Sequence, residues 1–113
     1  MDEVYVTVVE HEHYLKKAES LLTTEQMAEI ADIVAADPKA GDLIQGTGGC
    51  RKLRYAGVKG KGKSGGMRVI HFFIDADQEV HLLDIYGKNQ KVNLTKQEKN
   101  ELAKLTAILK GEK

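Results

Sequence analysis

The residues best placed to do chemistry form the run Cys50-Arg51-Lys52-Leu53-Arg54, with Arg68 further on. In a strand, side chains two apart share a face, so Lys52 and Arg54 project together while Leu53 and Tyr55 take the other side. Two cations side by side cost Coulomb energy and tend to depress a lysine pKa. That suits a site where an anion arrives or where a lysine gives up its proton. Arg68 opens the next strand across a Gly/Lys loop and can reach the same face. From spacing alone a second reading stands equally, in which all three cations solvate one face of a sheet.

Other chemistry-bearing patterns are weaker. Gly57 to Ser64 spells a P-loop, a Gly, four residues, then Gly-Lys-Ser. The mechanism needs that loop to open a helix whose amides hold phosphate, yet Gly65-Gly66 and the strand-like Met67-Arg68-Val69-Ile70 follow. The match is therefore read as an accident of a Gly/Lys-rich loop whose lysines still suit phosphate. His11 and His13 at a helix start point their rings apart, so no metal site is expected there. His71 and His81 fall on strands, where a satisfied histidine near the core is the commoner role. Cys50 lacks an evident partner base and reads as a packing thiol.

Charge is distributed in blocks although the total is zero. Residues 1–42 carry ten acids and three bases, residues 43–74 seven bases and no acid, and residues 75–113 seven of each. Seven cations without an anion, Arg51, Lys52, Arg54, Lys59, Lys61, Lys63 and Arg68, make a local field that attracts polyanions, phosphate backbones above all. With 113 residues and 42% hydrophobic content, the chain is expected to form one domain, residues 1–113, with a core. A lone Cys, no secretory-type apolar start and no run approaching the roughly 18 apolar residues of a membrane span give a cytoplasmic expectation with no membrane partner.

The elements that would position these residues follow from periodicity. Val4 to Val9 reads as a strand, and residues 10–20 as a short amphipathic helix with Tyr14, Ala18 and Leu21 on one face. A second helix starts at Thr23, which caps while Gln26 reaches back, and Asp37-Pro38 ends it. Gly41 to Gly49 is a turn, Cys50 to Ala56 a strand, and residues 57–66 an exposed loop. Met67–Ile74 and Val80–Tyr86 form a hairpin through residues 75–78. Thr95 and Glu98 cap a last helix faced by Leu102, Leu105, Thr106 and Leu109. The order β-α-α-β-β-β-α predicts an α+β fold, a mostly antiparallel sheet with helices packed on one face.

Four segments together resemble the RelE/HigB toxin family, its HigB branch in particular. They are Asp42-Leu43-Ile44-Gln45-Gly46-Thr47-Gly48-Gly49, Arg51-Lys52-Leu53-Arg54, Gly60-Lys61-Gly62-Lys63-Ser64-Gly65-Gly66 with Arg68, and Leu83-Asp84-Ile85-Tyr86-Gly87-Lys88-Asn89. The resemblance spans nearly the whole chain. It implies the RelE-like fold and a ribosome-dependent messenger RNA endonuclease. Such an enzyme cleaves translated messenger RNA in the A site by 2′-OH attack, needs no metal or other cofactor, and is restrained by a HigA/RelB-type antitoxin. It further implies that Lys52 is the general base, Arg54 a second strand cation and Arg68 the arginine at the scissile phosphate. Arg51, Lys59, Lys61, Lys63 and Tyr86 are then RNA-binding candidates. Many relatives place an arginine after Gly87-Lys88 and a tyrosine further on. Here Asn89 follows and residues 90–100 contain neither Tyr nor His, so the general acid is left between Tyr86, Lys88 and departure of the leaving oxygen with only Arg68 to stabilise it. The alternative is a non-catalytic RNA- or ribosome-binding protein of the same fold.

Overall fold

The computed structural model describes residues 6–56 and 66–111. In chain order these form β1 (Thr7–Glu10), α1 (Glu12–Leu21), α2 (Thr24–Ala36), β2 (Asp42–Leu43), β3 (Arg51–Tyr55), β4 (Met67–Ile74), β5 (Glu79–Gly87) and α3 (Lys96–Leu109). One sheet holds all five strands in the order β1-β5-β4-β3-β2. β1 runs parallel to β5, and the other pairs are antiparallel.

Local chemistry accounts for the boundaries. α2 and α3 each begin in a complete capping box, Thr23 with Gln26 and Thr95 with Glu98, in which side chain and backbone exchange hydrogen bonds and satisfy two amides that a helix start leaves open. The β4–β5 hairpin closes through a single 3₁₀ turn at Asp75–Asp77. Gln78 ends that turn in the left-handed region at φ 51°, held by its own amide side chain donating to the Asp75 carboxylate at 2.8 Å.

Two clusters of buried side chains lie on opposite faces of the sheet. Tyr14, Ala18, Ile30 and Val34 from α1 and α2 pack with Tyr55, Val69, Val80, Leu82 and Ile85. On the other face, Leu102, Leu105 and Leu109 of α3 pack against Ile70, Phe72 and Leu83, with Leu94 in the link before the helix. The α+β class and the β3-β4-β5 meander are as expected. The expectation that the helices gather on one face is corrected: α1 and α2 cover one face and α3 the other. The reason is legible in β4, whose neighbours Val69 and Ile70 are both fully buried though they point to opposite sides, so each face needs a cover. Two smaller differences concern the edges. Asp42–Leu43, expected within a turn, pairs with β3 as a two-residue strand, and β1 adds a parallel edge to an otherwise antiparallel sheet.

The glycine-rich turn before β3 is a joint. Thr47 is fully buried, its hydroxyl donates to the Ile44 carbonyl at 2.7 Å and accepts from the Cys50 amide at 3.0 Å. Gly48 has φ +78°, and a Cβ there would lie 2.2 Å from the Thr106 hydroxyl of α3. Only glycine allows this conformation without strain and this approach without a clash.

Candidate functional site: a row of cations across the sheet

Strand register decides which candidates meet. Arg54 stands directly opposite Arg68, and Arg68 directly opposite Tyr86, so the three share one face in a row crossing β3, β4 and β5. Lys52, two residues back on β3, projects to that same face, opposite Ile70. Directly opposed residues keep their Cβ atoms about 4.5–5.5 Å apart, so the Arg54 and Arg68 stems are close neighbours and their like charges destabilise the free protein. Arg54 is exposed, while Lys52 and Arg68 are half-buried. Among the described residues none of Lys52, Arg54, Arg68 and Lys88 forms an ion pair, and Arg68 makes only a long 3.4 Å contact with the Met67 carbonyl. Asp42 faces Lys52 across the β2–β3 pairing without bridging to it. A row of cations without ion-pair partners among the described residues has the charge and the donors to receive an anion.

Lys88 lies just beyond the end of β5, exposed, its amide bonded to the Gly66 carbonyl at the start of β4 at 3.0 Å. That places it at the same end of the sheet as Arg68. Arg51 does not join the row. It alternates to the α1–α2 face, opposite His71, and its guanidinium donates to the Gly41 carbonyl at 3.1 Å. Lys59, Lys61 and Lys63, with the P-loop spelling, lie outside the described residues. β4 starts at Met67, so a strand rather than a helix follows that spelling.

Tyr86 is 1% exposed, and its hydroxyl has no hydrogen-bond partner among the described residues, which for a buried polar group costs about 1–3 kcal/mol. Burial pushes its phenol up, while the positive charges of Lys91 and Arg68 pull it back down. Lys91 was not singled out by sequence. Its ammonium lies 4.8 Å from the centre of the Tyr86 ring and pairs with Glu98 in the first turn of α3. The only sequence signal would have been a lysine near a capping box, and lysines are too common there for that to discriminate.

The remaining reactive side chains are held in structural roles. Burial pushes the Cys50 thiol up to about 11, partly offset by its contact with Thr47, which suits a packing residue. His71 donates to the Ala40 carbonyl at 2.8 Å, and burial pushes its pKa down. His11 stands at the N-cap position of α1, where its ring makes no capping bond and instead shares a 2.9 Å hydrogen bond with His81. A cavity of about 330 Å³ opens between α1, β5 and α3, walled by leucines with His11, His13, Asp84, Glu98 and Glu101 at its polar side. Asp84 is already engaged there by Lys17 at 2.8 Å and His13 at 3.2 Å. No group of three or more His, Cys, Asp or Glu among the described residues is arranged to hold a metal ion, and no helix among them is long and apolar enough to cross a membrane.

No protein-family model matches the chain. Among solved structures, it is similar to a double-arginine mutant of the E. coli toxin RelE in the free state, with TM-score 0.57 and 19% identity over 78% of this chain and 88% of that one. It is also similar to the intact E. coli RelBE toxin–antitoxin complex, with TM-score 0.54 and 22% identity over 74% of this chain and 96% of the other. With its elements in the order β-α-α-β-β-β-β-α and about three quarters of its length covered in both comparisons, the chain has the RelE-like α+β fold.

Proposed function

We propose that this protein is a RelE-like toxin of a bacterial toxin–antitoxin pair, of the HigB type, acting as a ribosome-dependent messenger RNA endonuclease. The observation that carries the reading is the row Arg54–Arg68–Tyr86 with Lys52 beside it, a face of cations without carboxylate partners among the described residues, on a fold like that of the toxin RelE. The chemistry is metal-independent attack of the ribose 2′-OH on the adjacent phosphate. Lys52 takes the proton and Arg68 and Arg54 stabilise charge growing on the non-bridging oxygens, which a guanidinium does through a planar fork. Lys88 stands near enough to the row's end to add a further phosphate contact, and Lys59, Lys61 and Lys63 supply salt-dependent attraction to RNA. Arg51, turned to the opposite face, serves at most a peripheral phosphate.

The partners follow from the same charge. The ribosome and its A-site message provide the polyanion, and a RelB- or HigA-type antitoxin restrains the protein by laying an acidic or extended segment over the Lys52/Arg54/Arg68 face or by blocking ribosome docking. The HigB assignment rests on the sequence resemblance of the Gly46–Gly49 turn, the Gly/Lys run 60–66 and the Ile85–Asn89 segment taken together. The test is induced expression of this chain alone, followed by primer extension on a translated and an untranslated copy of one message. Growth arrest with cuts confined to the translated copy is expected, and equal cleavage of both refutes ribosome dependence. The burial of Tyr86 favours one second reading, a non-catalytic RNA- or ribosome-binding protein without a usable acid. Ribosome association with no cleavage of either copy would select it.

A further inference from the structure

Between β5 and α3 the chain turns tightly around one ring. Gln90 closes the turn, its amide donating to the Gly87 carbonyl at 2.9 Å and its side chain accepting from the Gly87 amide at 2.6 Å. One residue on, the Lys91 ammonium is held at both ends. Glu98, whose other oxygen completes the α3 capping box, grips it, and the face of Tyr86 lies beneath it at 4.8 Å. That phenol is buried, unpartnered among the described residues and directly opposite Arg68. A buried hydroxyl without a partner, flanked by one cation on its own face of the sheet and another over its ring, is an unusual expense for a packing residue.

We infer that Lys91 is a positioning residue of the site, holding the Tyr86 hydroxyl beside Arg68 so that the phenol delivers the proton to the leaving oxygen. The inference rests on the RNA-cleaving reading above. In that step the bond from O2′ to phosphorus forms as the bond from phosphorus to O5′ breaks. The 2′-OH proton passes to the amine form of Lys52, the fraction that has first released its own proton to solvent, and the Tyr86 proton to O5′, leaving a 2′,3′-cyclic phosphate and a 5′-hydroxyl end. Lys52 is left as an ammonium and Tyr86 as a phenolate until solvent restores both. A cation over the ring and a guanidinium opposite favour that phenolate, opposing the burial that disfavours it. Because Tyr86 is covered in the free protein, RNA contact requires the 88–95 segment to shift. A Coulombic hold decays gradually with distance, so it follows such a shift where a steric contact would not. The arrangement also answers the missing aromatic residue in 90–100, since it recruits the tyrosine that β5 already carries.

The test uses the full chain with Lys91→Met, Lys91→Arg and Tyr86→Phe, each checked for folding by circular dichroism. The first readout needs no RNA: the ¹³Cζ resonance of Tyr86, identified by its loss in Tyr86→Phe, is followed through alkaline titration. Lys91→Met should move the titration to higher pH and Lys91→Arg should restore it. The second readout is single-turnover cleavage on translating ribosomes. Tyr86→Phe should lose about a hundredfold, Lys91→Met about fivefold with ribosome affinity unchanged, and Lys91→Arg little. An unmoved Tyr86 titration in Lys91→Met overturns the positioning role. Parent-like cleavage by Tyr86→Phe overturns the proton delivery. If the parent itself does not cleave, it is the RNA-cleaving reading that fails, and the titration still decides whether Lys91 acts on Tyr86.

Discussion

Replacing Gly48 by alanine loads the joint between the turn before β3 and the last helix. The new Cβ would sit 2.2 Å from the Thr106 hydroxyl and 3.3 Å from its Cβ, at a residue whose φ is +78°. An L-residue in the left-handed region costs about 1–2 kcal/mol. Thr106 cannot yield cheaply, because it is fully buried and β-branched, and its hydroxyl bonds the Thr47 carbonyl at 2.9 Å and the Ala103 carbonyl at 3.0 Å. Displacing it forfeits a buried hydrogen bond, about 0.5–1.5 kcal/mol, and adds strain of similar size. The sum is about 2–5 kcal/mol, on the order of 10–25 °C in Tm for a domain of this length. Urea unfolding followed by circular dichroism measures it, and Gly48→Ala with Thr106→Ala closes a double-mutant cycle. With the hydroxyl and the branch gone the clash vanishes, so the double variant should be more stable than the sum of its singles by about 1–2 kcal/mol. A Gly48→Ala cost under 1 kcal/mol, or strict additivity, would refute the close approach as the cause.

Three further outcomes are expected. Arg68→Ala should lower single-turnover cleavage on ribosomes by about a hundredfold while a pelleting assay shows nearly unchanged ribosome association, since its guanidinium acts on transition-state charge and binding is shared among many cations. Lys52→Arg should also impair cleavage, because a guanidinium stays protonated near neutral pH; parent-like rates across a pH series would leave Lys52 an electrostatic residue only. Glu98, held below the usual carboxylate range first by its bond from Lys91 and then by the capping amide, contributes stability that is present above its unfolded pKa and lost as pH falls through its lower folded one. Urea midpoints of Glu98→Gln should therefore lie below the parent at neutral pH and converge with it in acid.

Legibility of the sequence varied with the range of the interaction involved. Both capping boxes and all three helices could be read because a cap and a periodic stripe are local, as with Thr23–Gln26 and Ile30–Val34. The placement of Lys52 and Arg54 on one face follows from the two-residue period, and the register adds that Arg68 and Tyr86 lie in line with Arg54. By the same period Arg51, adjacent to Lys52 in sequence, points the other way. The side taken by α3 was hidden because it depends on β4 being apolar on both faces. β2 was hidden because two residues carry no periodicity. At Leu83 the β4–β5 register slips, His71 pairing with Leu82 and Ile70 with Asp84, and this bulge turns Leu83 and Asp84 toward the same side. No alternation pattern announces such a bulge. The Lys91–Tyr86 contact joins a loop to a strand around a turn, where side-chain direction is set by the fold.

The strand order also dictates a schedule of assembly. β3, β4 and β5 are consecutive in the chain and adjacent in the sheet, so the cation row arises from short-range pairings. The parallel edge instead joins Thr7 to Glu79 and must close a loop of most of the chain. During synthesis the meander between Arg51 and Gly87 is therefore ready to form before α3 has left the ribosome, with Ile70, Phe72 and Leu83 still uncovered. The final helix completes the burial of a surface that already displays its charges. A nascent or truncated chain ending before Lys96 would combine an RNA-attracting row with a bare apolar face, the form of this protein most prone to associate with whatever lies nearby.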